Sequence, residues 1–370
     1  NSDIEGKAKG AFYAQPSYLG PDESILIGVF PSRLENPDLK WETTTELNIG
    51  LDFELFKRRV SGSFEVYNKE VSDLLQLKKI NSYNEVNEVW ANVGKTQSKG
   101  IELTLNTVNI DNNDFKWKST LTYSKYETNW KERAPDWKPA IYEKYDDPVR
   151  AQHSYLADGI MQIGETVAAQ PDLYPGQIKI KDVNGFQRDG SGNPTVDSEG
   201  RFIKSGEADG KIDEADIVLL GSSDPDFVAG FSNTVIYKNF ELNFNFAGMF
   251  GRKIANQTDI AYGVNAIGVA VNGRNAITSI YDRWTPENPS TTRPASHYGY
   301  SQYSSGDFFL QDASFIRLQN VSLAYKLPTK LFGKYLTGAI RLEGQNLFVI
   351  TKYDGIDPET DGYAAAYPNV

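Results

Sequence analysis

Residues Trp41–Phe56 alternate apolar and polar side chains with hardly a break. Leu47, Ile49, Leu51, Phe53 and Leu55 fall on one side of an extended chain, and Glu46, Asn48, Gly50, Asp52 and Glu54 fall on the other. This is a period of two, which a strand has and which a helix would scatter around its axis. The apolar side runs for about ten residues, the length a tilted strand needs to cross a bilayer, and the opposite side is charged. The same alternation recurs in Arg59–Tyr67, Gly100–Asn106, Phe115–Tyr123, Asp226–Tyr237, Phe240–Phe246, Ala313–Leu327 and Gly338–Ile350. Within Ala313–Leu327 the phase slips: Ile316 and Leu318 share one face, then Val321, Leu323 and Tyr325 share one, which predicts a β-bulge near Asn320.

The connections alternate in length. Lys57–Arg58, Asp111–Asp114, Lys238–Asn239 and Pro328–Thr337 are short, whereas Glu70–Val93, the stretch from Glu127, Gly251–Gly306 and the stretch from Tyr353 are long. Outer-membrane barrels have short turns on one side and long loops on the other. The expected fold class is therefore all-β, an antiparallel transmembrane β-barrel, with the long connections together on the outer side. Trp130–Pro225 is ambiguous: parity asks for zero or two crossing strands there, and Gly176–Asp182 is a candidate for one of two. The Gly251–Gly306 loop is expected to hold a short helix, because Ile277, Ile280, Tyr281 and Trp284 are spaced i, i+3, i+4, i+7 and Pro286 follows.

Composition is consistent with this reading. The mean hydropathy of −0.48 does not exclude a membrane barrel, because alternation hides the apolar face in the average. A net charge of −11 argues against nucleic acid as a partner. Cysteine is absent, which excludes disulfides and thiolate metal sites. No run of apolar residues is long enough for a transmembrane helix. Trp41, Tyr67, Trp117, Tyr123, Tyr237 and Tyr325 lie near strand ends, where barrels carry aromatic girdles, although ordinary core aromatics would look the same.

Little in the chain points to catalysis. Glu46, Asp52, Glu54, Glu65 and Glu102 could pair as glycosidase acids, but on a barrel they line a hydrated lumen. His153 and His297 are read as lone surface histidines, and no G-x-S-x-G or phosphate-binding glycine loop is present. The protein is not expected to be an enzyme. One constellation is suited to a hard cation. Asp182, Asn184, Asp209, Lys211, Asp213 and Asp216, with Gly210, follow an EF-hand-like D-x-N-x-D-G-x-I-D-x-x-D order, interrupted by an insert that holds Asp189–Asn193 and Asp197–Gly200. Calcium is one reading; an Asx-bonded turn is the other. Tyr298, Tyr300, Tyr303, Phe308 and Phe309 either stack on a ligand's sugar rings or pack their own loop.

Five stretches in order resemble one family. They are Asn36–Glu42 (NPDLKWE); Asn92–Gly94 with Ser98–Leu103; Asp224–Phe227 with Gly230–Asn233; Arg283–Pro289 (RWTPENP); and Phe315–Leu323 (FIRLQNVSL). They are similar to the SusC/RagA-like TonB-dependent outer-membrane transporters, and the likeness spans about residues 28–370. The resemblance implies a 22-stranded barrel in the bacterial cell outer membrane, with residues 1–370 as its C-terminal portion and the N-terminal plug and final strand absent. It also implies import of oligomeric nutrients, glycans or peptides, a SusD-like surface lipoprotein as partner, and energy from TonB–ExbB–ExbD acting through that plug. Membrane lipid and an oligosaccharide or peptide substrate complete the expected partners. Family members carry the acidic loop uninterrupted, as DVNGDGKID. The alternative from another class is a secreted, calcium-stabilised carbohydrate-binding β-sandwich.

Overall fold

The computed structural model describes residues 6–19, 25–80, 86, 88–198, 200–264, 273, 275–296, 305–328, 337–360 and 362, without the side chains of 15–28. β1 (Ala11–Leu19) and β2 (Ile25–Arg33) form a separate hairpin. β3 (Thr43–Leu55) and β4 (Val60–Ser72) begin the main sheet, and β5 (Leu75–Lys79) and β6 (Glu88–Asn92) form a small hairpin after them. β7 (Lys95–Asp111) and β8 (Phe115–Glu132) return to the main sheet. Four short strands follow in the next connection: β9 (Ala151–Ser154), β10 (Ala157–Ile160), β11 (Ile178–Ile180) and β12 (Val218–Ser222). β13 (Phe227–Tyr237) and β14 (Phe240–Phe250) are again main-sheet strands, while β15 (Lys253–Ala255) pairs with β16 (Leu310–Asp312) beyond it. β17 (Phe315–Lys326) and β18 (Ala339–Thr351) complete the sheet.

The main sheet is one antiparallel meander of eight strands, ordered β3-β4-β7-β8-β13-β14-β17-β18. Every strand the alternation predicted is in it. Its connections sort by end. The turns at Phe56–Arg59, Asn112–Asp114 and Lys238–Asn239, with the 327–338 connection, share one end, and all the long connections share the other. Local chemistry closes the short turns. The Asn112 carboxamide oxygen accepts the amides of Asp114 and Phe115 at 3.2 and 2.7 Å. Lys238 takes a left-handed φ of 52°. Among the described residues between 133 and 226 no strand joins the main sheet. β11, inside the Gly176–Asp182 candidate, pairs with β10 among the loops, so the number of crossings there is zero.

The bulge falls at Gln319. Asn320 pairs with Asn245 and Leu318 with Phe246, so Gln319 is the extra residue, and the β17–β18 register shifts at the same point. The expected helix is reduced to a five-residue 3-10 turn, Thr278–Asp282. Tyr281 is 80% exposed and Trp284 is buried, so the spacing does not mark one apolar helical face.

The register settles the faces. Ile49 lies beside Val66 and Val66 beside Ile101; Leu51 lies beside Phe64, then Leu103, then Tyr123. Farther along, Phe231 pairs with both Leu121 and Phe246, and Leu242 with Leu323. These side chains make one continuous apolar surface, and among the described residues nothing packs on it: Ile49 is 68% and Leu342 75% exposed. A β-sandwich would bury that surface under a second sheet, so the sandwich alternative does not hold. The buried apolar residues are instead in the loops. Ile178, Ile180, Ile260, Val264 and Phe309 form one cluster, and Ile254, Ala313 and Tyr353 a second.

Candidate functional site

The face opposite the apolar surface carries the groups that would meet a solute. Glu46, Asn48, Asp52 and Glu54 of β3 share it with Glu65, Glu102, Lys116, Lys118, Glu241, Lys326, Arg341 and Glu343, and their pairing follows the same register. Polar neighbours bond across the strands: Asn48 donates to Glu65 at 2.8 Å, Thr120 to Asn106 at 2.8 Å, Thr234 to Asn243 at 2.7 Å and Asn320 to Glu343 at 2.8 Å. Glu65 and Glu102 are direct cross-strand neighbours. A hydrated surface tolerates that pair, whereas an apolar core would not. Tyr67 is also on this polar face, not in an outward girdle. Its ring lies over Gly100, where an added Cβ would come within 2.6 Å of the phenol. Trp117, Tyr123, Tyr237 and Tyr325 do point outward, with Tyr325 tilted against Phe240 at 4.7 Å between ring centres.

Above this face the long connections pack into a cap. The NPDLKWE stretch is part of its foundation. Asn92 donates to the carbonyls of Lys40 and Asp73 at 2.7 and 2.8 Å and accepts the Lys40 amide at 2.9 Å. Asn36 bonds the Trp90 carbonyl at 2.8 Å, Glu42 accepts the Leu75 amide at 2.9 Å, and Lys40 pairs with Asp73 at 3.1 Å. The two stretches read as separate motifs are therefore two halves of one clasp around the β5–β6 hairpin. In RWTPENP, the Trp284 indole donates to Gln162 at 3.0 Å and its ring covers Gly176, whose φ of +92° and lack of Cβ let it fit. In FIRLQN, Arg317 is buried and one guanidinium nitrogen reaches both oxygens of Asp357 at 2.8 Å, with Glu359 at 3.2 Å. Arg252, also buried, donates to the carbonyls of Ser223, Pro358 and Glu359. These two arginines fasten the segment around Asp357 to the top of the sheet.

The acidic constellation does come together across its insert. Asp182 accepts the amides of Asp209 and Gly210 at 3.3 and 2.6 Å. Asp216, fully buried, accepts Val183 and Asn184 on one oxygen and Asp213 on the other, at 2.8–3.0 Å. Asp213 caps the turn by accepting Ala215, and Asp209 accepts Lys211. The carboxylates thus close the loop on backbone N–H groups. Among the described residues no three His, Cys, Asp or Glu side chains converge on one point; Asp182, Asp209, Asp213 and Asp216 are each engaged by backbone amides. The insert is a small three-cornered arm rather than a simple hairpin. Bridges Phe186–Lys204, Arg188–Pro194 and Val196–Phe202 join its sides. Gln187 donates to Ile203, Ile203 to Thr195, and Thr195 back to Gln187. Amides of Ser191 and Asn193 hold the Asp189 carboxyl below its ordinary range.

The proposed ligand aromatics divide. Phe309 is 4% exposed in the main loop cluster, and Phe308 packs against that cluster, edge-on to Phe309 at 5.1 Å. Both rings help to hold the loops together. Tyr298, Tyr300 and Tyr303, like His297, lie outside the described residues. His153 is not a surface residue: its side chain is nearly buried, 3.1 Å from Asp147 and tilted against Tyr142. It lines a cavity of about 270 Å³ with Ser305, Gly306 and Phe309. No local spacing marks it, because the residues around it come from distant loops.

A meander with an apolar outer face, a polar inner face and all its long loops at one end is a segment of the wall of a transmembrane β-barrel. The family described as TonB dependent receptor-like, beta-barrel matches residues 13–159. TonB-dependent receptor P3 of Formosa agariphila is 30% identical over 338 residues, covering 90% of this chain and 32% of that protein. TonB-dependent receptor SusC of Bacteroides thetaiotaomicron is 27% identical over 341 residues, covering 90% of this chain and 31% of that protein. The solved structure of the RagAB peptide transporter has the same fold, with a TM-score of 0.69 and 21% identity over 98% of this chain and 37% of its own. The chain carries a segment of TonB-dependent receptor barrel and is SusC/RagA-like, and its place is the outer membrane. It spans about a third of the length of the relatives it matches.

Proposed function

We propose that this chain supplies wall strands and outer loops to an active importer of oligomeric nutrients, glycans or peptides. The observation that supports this best is the two-faced sheet. A continuous apolar surface meets lipid, and behind it a ladder of bonded polar groups lines a wet passage. The loop cap at one end is broad enough for a SusD-like lipoprotein to dock, since specific docking buries at least about 1,000 Å² and turns of a few residues cannot supply it. TonB–ExbB–ExbD would provide energy through a plug contributed by the rest of the transporter. SusC as a relative and a RagAB peptide transporter as a structural neighbour support the two substrate classes without choosing between them.

The test is uptake by cells carrying the full-length protein, offered labelled oligosaccharides and oligopeptides in parallel. Accumulation of one class should require both this protein and TonB. Uptake that persists without TonB would overturn the active-import reading. Affinity purification from the same cells should recover a surface lipoprotein, held through the loops.

A further inference from the structure

The outward face is not equally apolar all the way to its loop end. On β13, β14 and β18 it stays apolar through Phe227, Phe250 and Ile350. On β4, β7 and β8 the apolar positions stop at Val66, Ile101 and Tyr123, and the next outward positions are Asn68, Lys99 and Lys125. Lys125 is directly across from Ile101, and Lys99 is across from both Asn68 and Glu127. Both lysines are exposed, and among the described residues neither makes a hydrogen bond or an ion pair. The nearest outward acids are Glu127, also uncommitted, and Glu70, which is taken by Lys131.

Just below the lysines the outward surface is hollowed. A cavity of about 400 Å³ is lined by Leu47, Ile49, Val66 and Ile101, with Lys99 and Lys125 at its edge. Height can be judged from the short turns. Lys125 is eleven residues beyond Asp114, which is roughly 26 Å at a rise of about 3.3 Å per residue and a tilt of about 45°. That is the top of an apolar band about 25 Å tall. The two ammonium groups therefore sit at headgroup level in the leaflet on the loop side, with the apolar hollow beneath them.

We propose that Lys99 and Lys125 bind the phosphate of a phosphorylated glycolipid whose acyl chain lies in the Leu47–Ile49–Val66–Ile101 groove. Paired cations select phosphate over a neutral headgroup. Glu127, with lone pairs to spare, accepts the hydroxyls that a sugar headgroup carries next to its phosphate. The site rests on the outer-membrane placement and is independent of which nutrient is imported. It spans β3, β4, β7 and β8, so lipid would be held at one sector of the wall rather than evenly around it.

The full-length transporter, purified in detergent, can be titrated with bis-phosphorylated lipid A and its adducts counted by native mass spectrometry. Dephosphorylated lipid A and phosphatidylglycerol serve as comparison probes. Wild type should keep one tightly held lipid A, and the double variant Lys99→Ala/Lys125→Ala should lose affinity by roughly thirtyfold, with each lysine near the surface contributing comparably. Lys57→Ala, at the opposite end, should leave binding intact. Heat-modified gel mobility checks barrel assembly. Should the alanine variant assemble poorly, Lys99→Gln/Lys125→Gln against the double arginine variant makes the same comparison, with arginine retaining the lipid. Equal affinity in wild type and the charge-removed variant would overturn the site. Equal retention of dephosphorylated lipid A would overturn the phosphate contact. Equal retention of phosphatidylglycerol would overturn the sugar headgroup.

Discussion

The wall and the cap are built from the same apolar residues put to opposite uses. Ile49 in the wall is 68% exposed, whereas Ile178 in the cap is 2% exposed. In the wall, backbone pairing with neighbouring strands, on both sides for the six inner strands and on one side for β3 and β18, holds each segment, and its apolar side chains are left for lipid. In the cap, hardly any ladder exists: β10 and β11 are matched over only a few residues, and order comes from side chains gathered from far apart, such as Ile180, Ile260 and Phe309. The wall is thus organised by hydrogen bonds and the cap by burial. A substitution that is severe in one should be mild in the other.

The largest expected effect is in the cap. Phe309→Ala empties the centre of the loop cluster, at a cost of about 3–5 kcal/mol. Protease on intact cells should then cut the loops readily while the barrel still resists heat in gel mobility; loss of the barrel itself would show that cap and wall are not separable. Next is the wall. Arginine at Ile49 should cost on the order of 2–4 kcal/mol at the midplane of a lipid face, while Asn48→Arg, one residue away on the wet side, should be tolerated. Equal loss of assembled protein from both would invert the assignment of faces. Asp216→Ala should follow at about 1–3 kcal/mol, because three part-buried amides lose their acceptor. Running that comparison with calcium and with chelator sharpens it: thermal resistance of the wild-type loop is expected to be the same in both, and a calcium-dependent rise abolished by Asp182→Asn would restore an ion to the site.

The smallest effect is expected at Asp189. Its carboxyl is held below the ordinary range by the Ser191 and Asn193 amides. A depressed folded-state value means that its contribution is present at neutral pH and is lost as pH falls through that depressed value, below the usual carboxylate range. Amide exchange at Ser191 and Asn193 should therefore stay protected at neutral pH and open only in strong acid. Asp189→Asn should flatten that dependence without altering the barrel.

The difference between wall and cap also decides what could be read from the chain. All eight wall strands were visible, because period-two alternation is local and a short turn such as Lys238–Asn239 needs no distant partner. The bulge was visible for the same reason, as a slip in phase. The β5–β6 hairpin was not, since its strands are short and its clasp depends on Asn36 and Lys40, some fifty residues away from Trp90 and Asn92. Nor was the packing of His153 or Phe309, each of which meets partners on other loops. Spacing also misled at Tyr281 and Trp284, which sit in helical register although Tyr281 is exposed and Trp284 is seated on Gly176. Tyr67 misled in a different way: nearness to a strand end suggested a girdle, but its position in the pleat turns it inward.

The arm between the two halves of the acidic loop leaves and re-enters at almost one point, since the Ser205 amide bonds the Gly185 carbonyl at 2.8 Å. Its own three sides bond chiefly to one another. A segment with coincident ends is a splice site: its length can change between lineages without disturbing what lies on either side. The same geometry makes Gly190–Gly192 a natural place to graft a peptide tag for display on living cells.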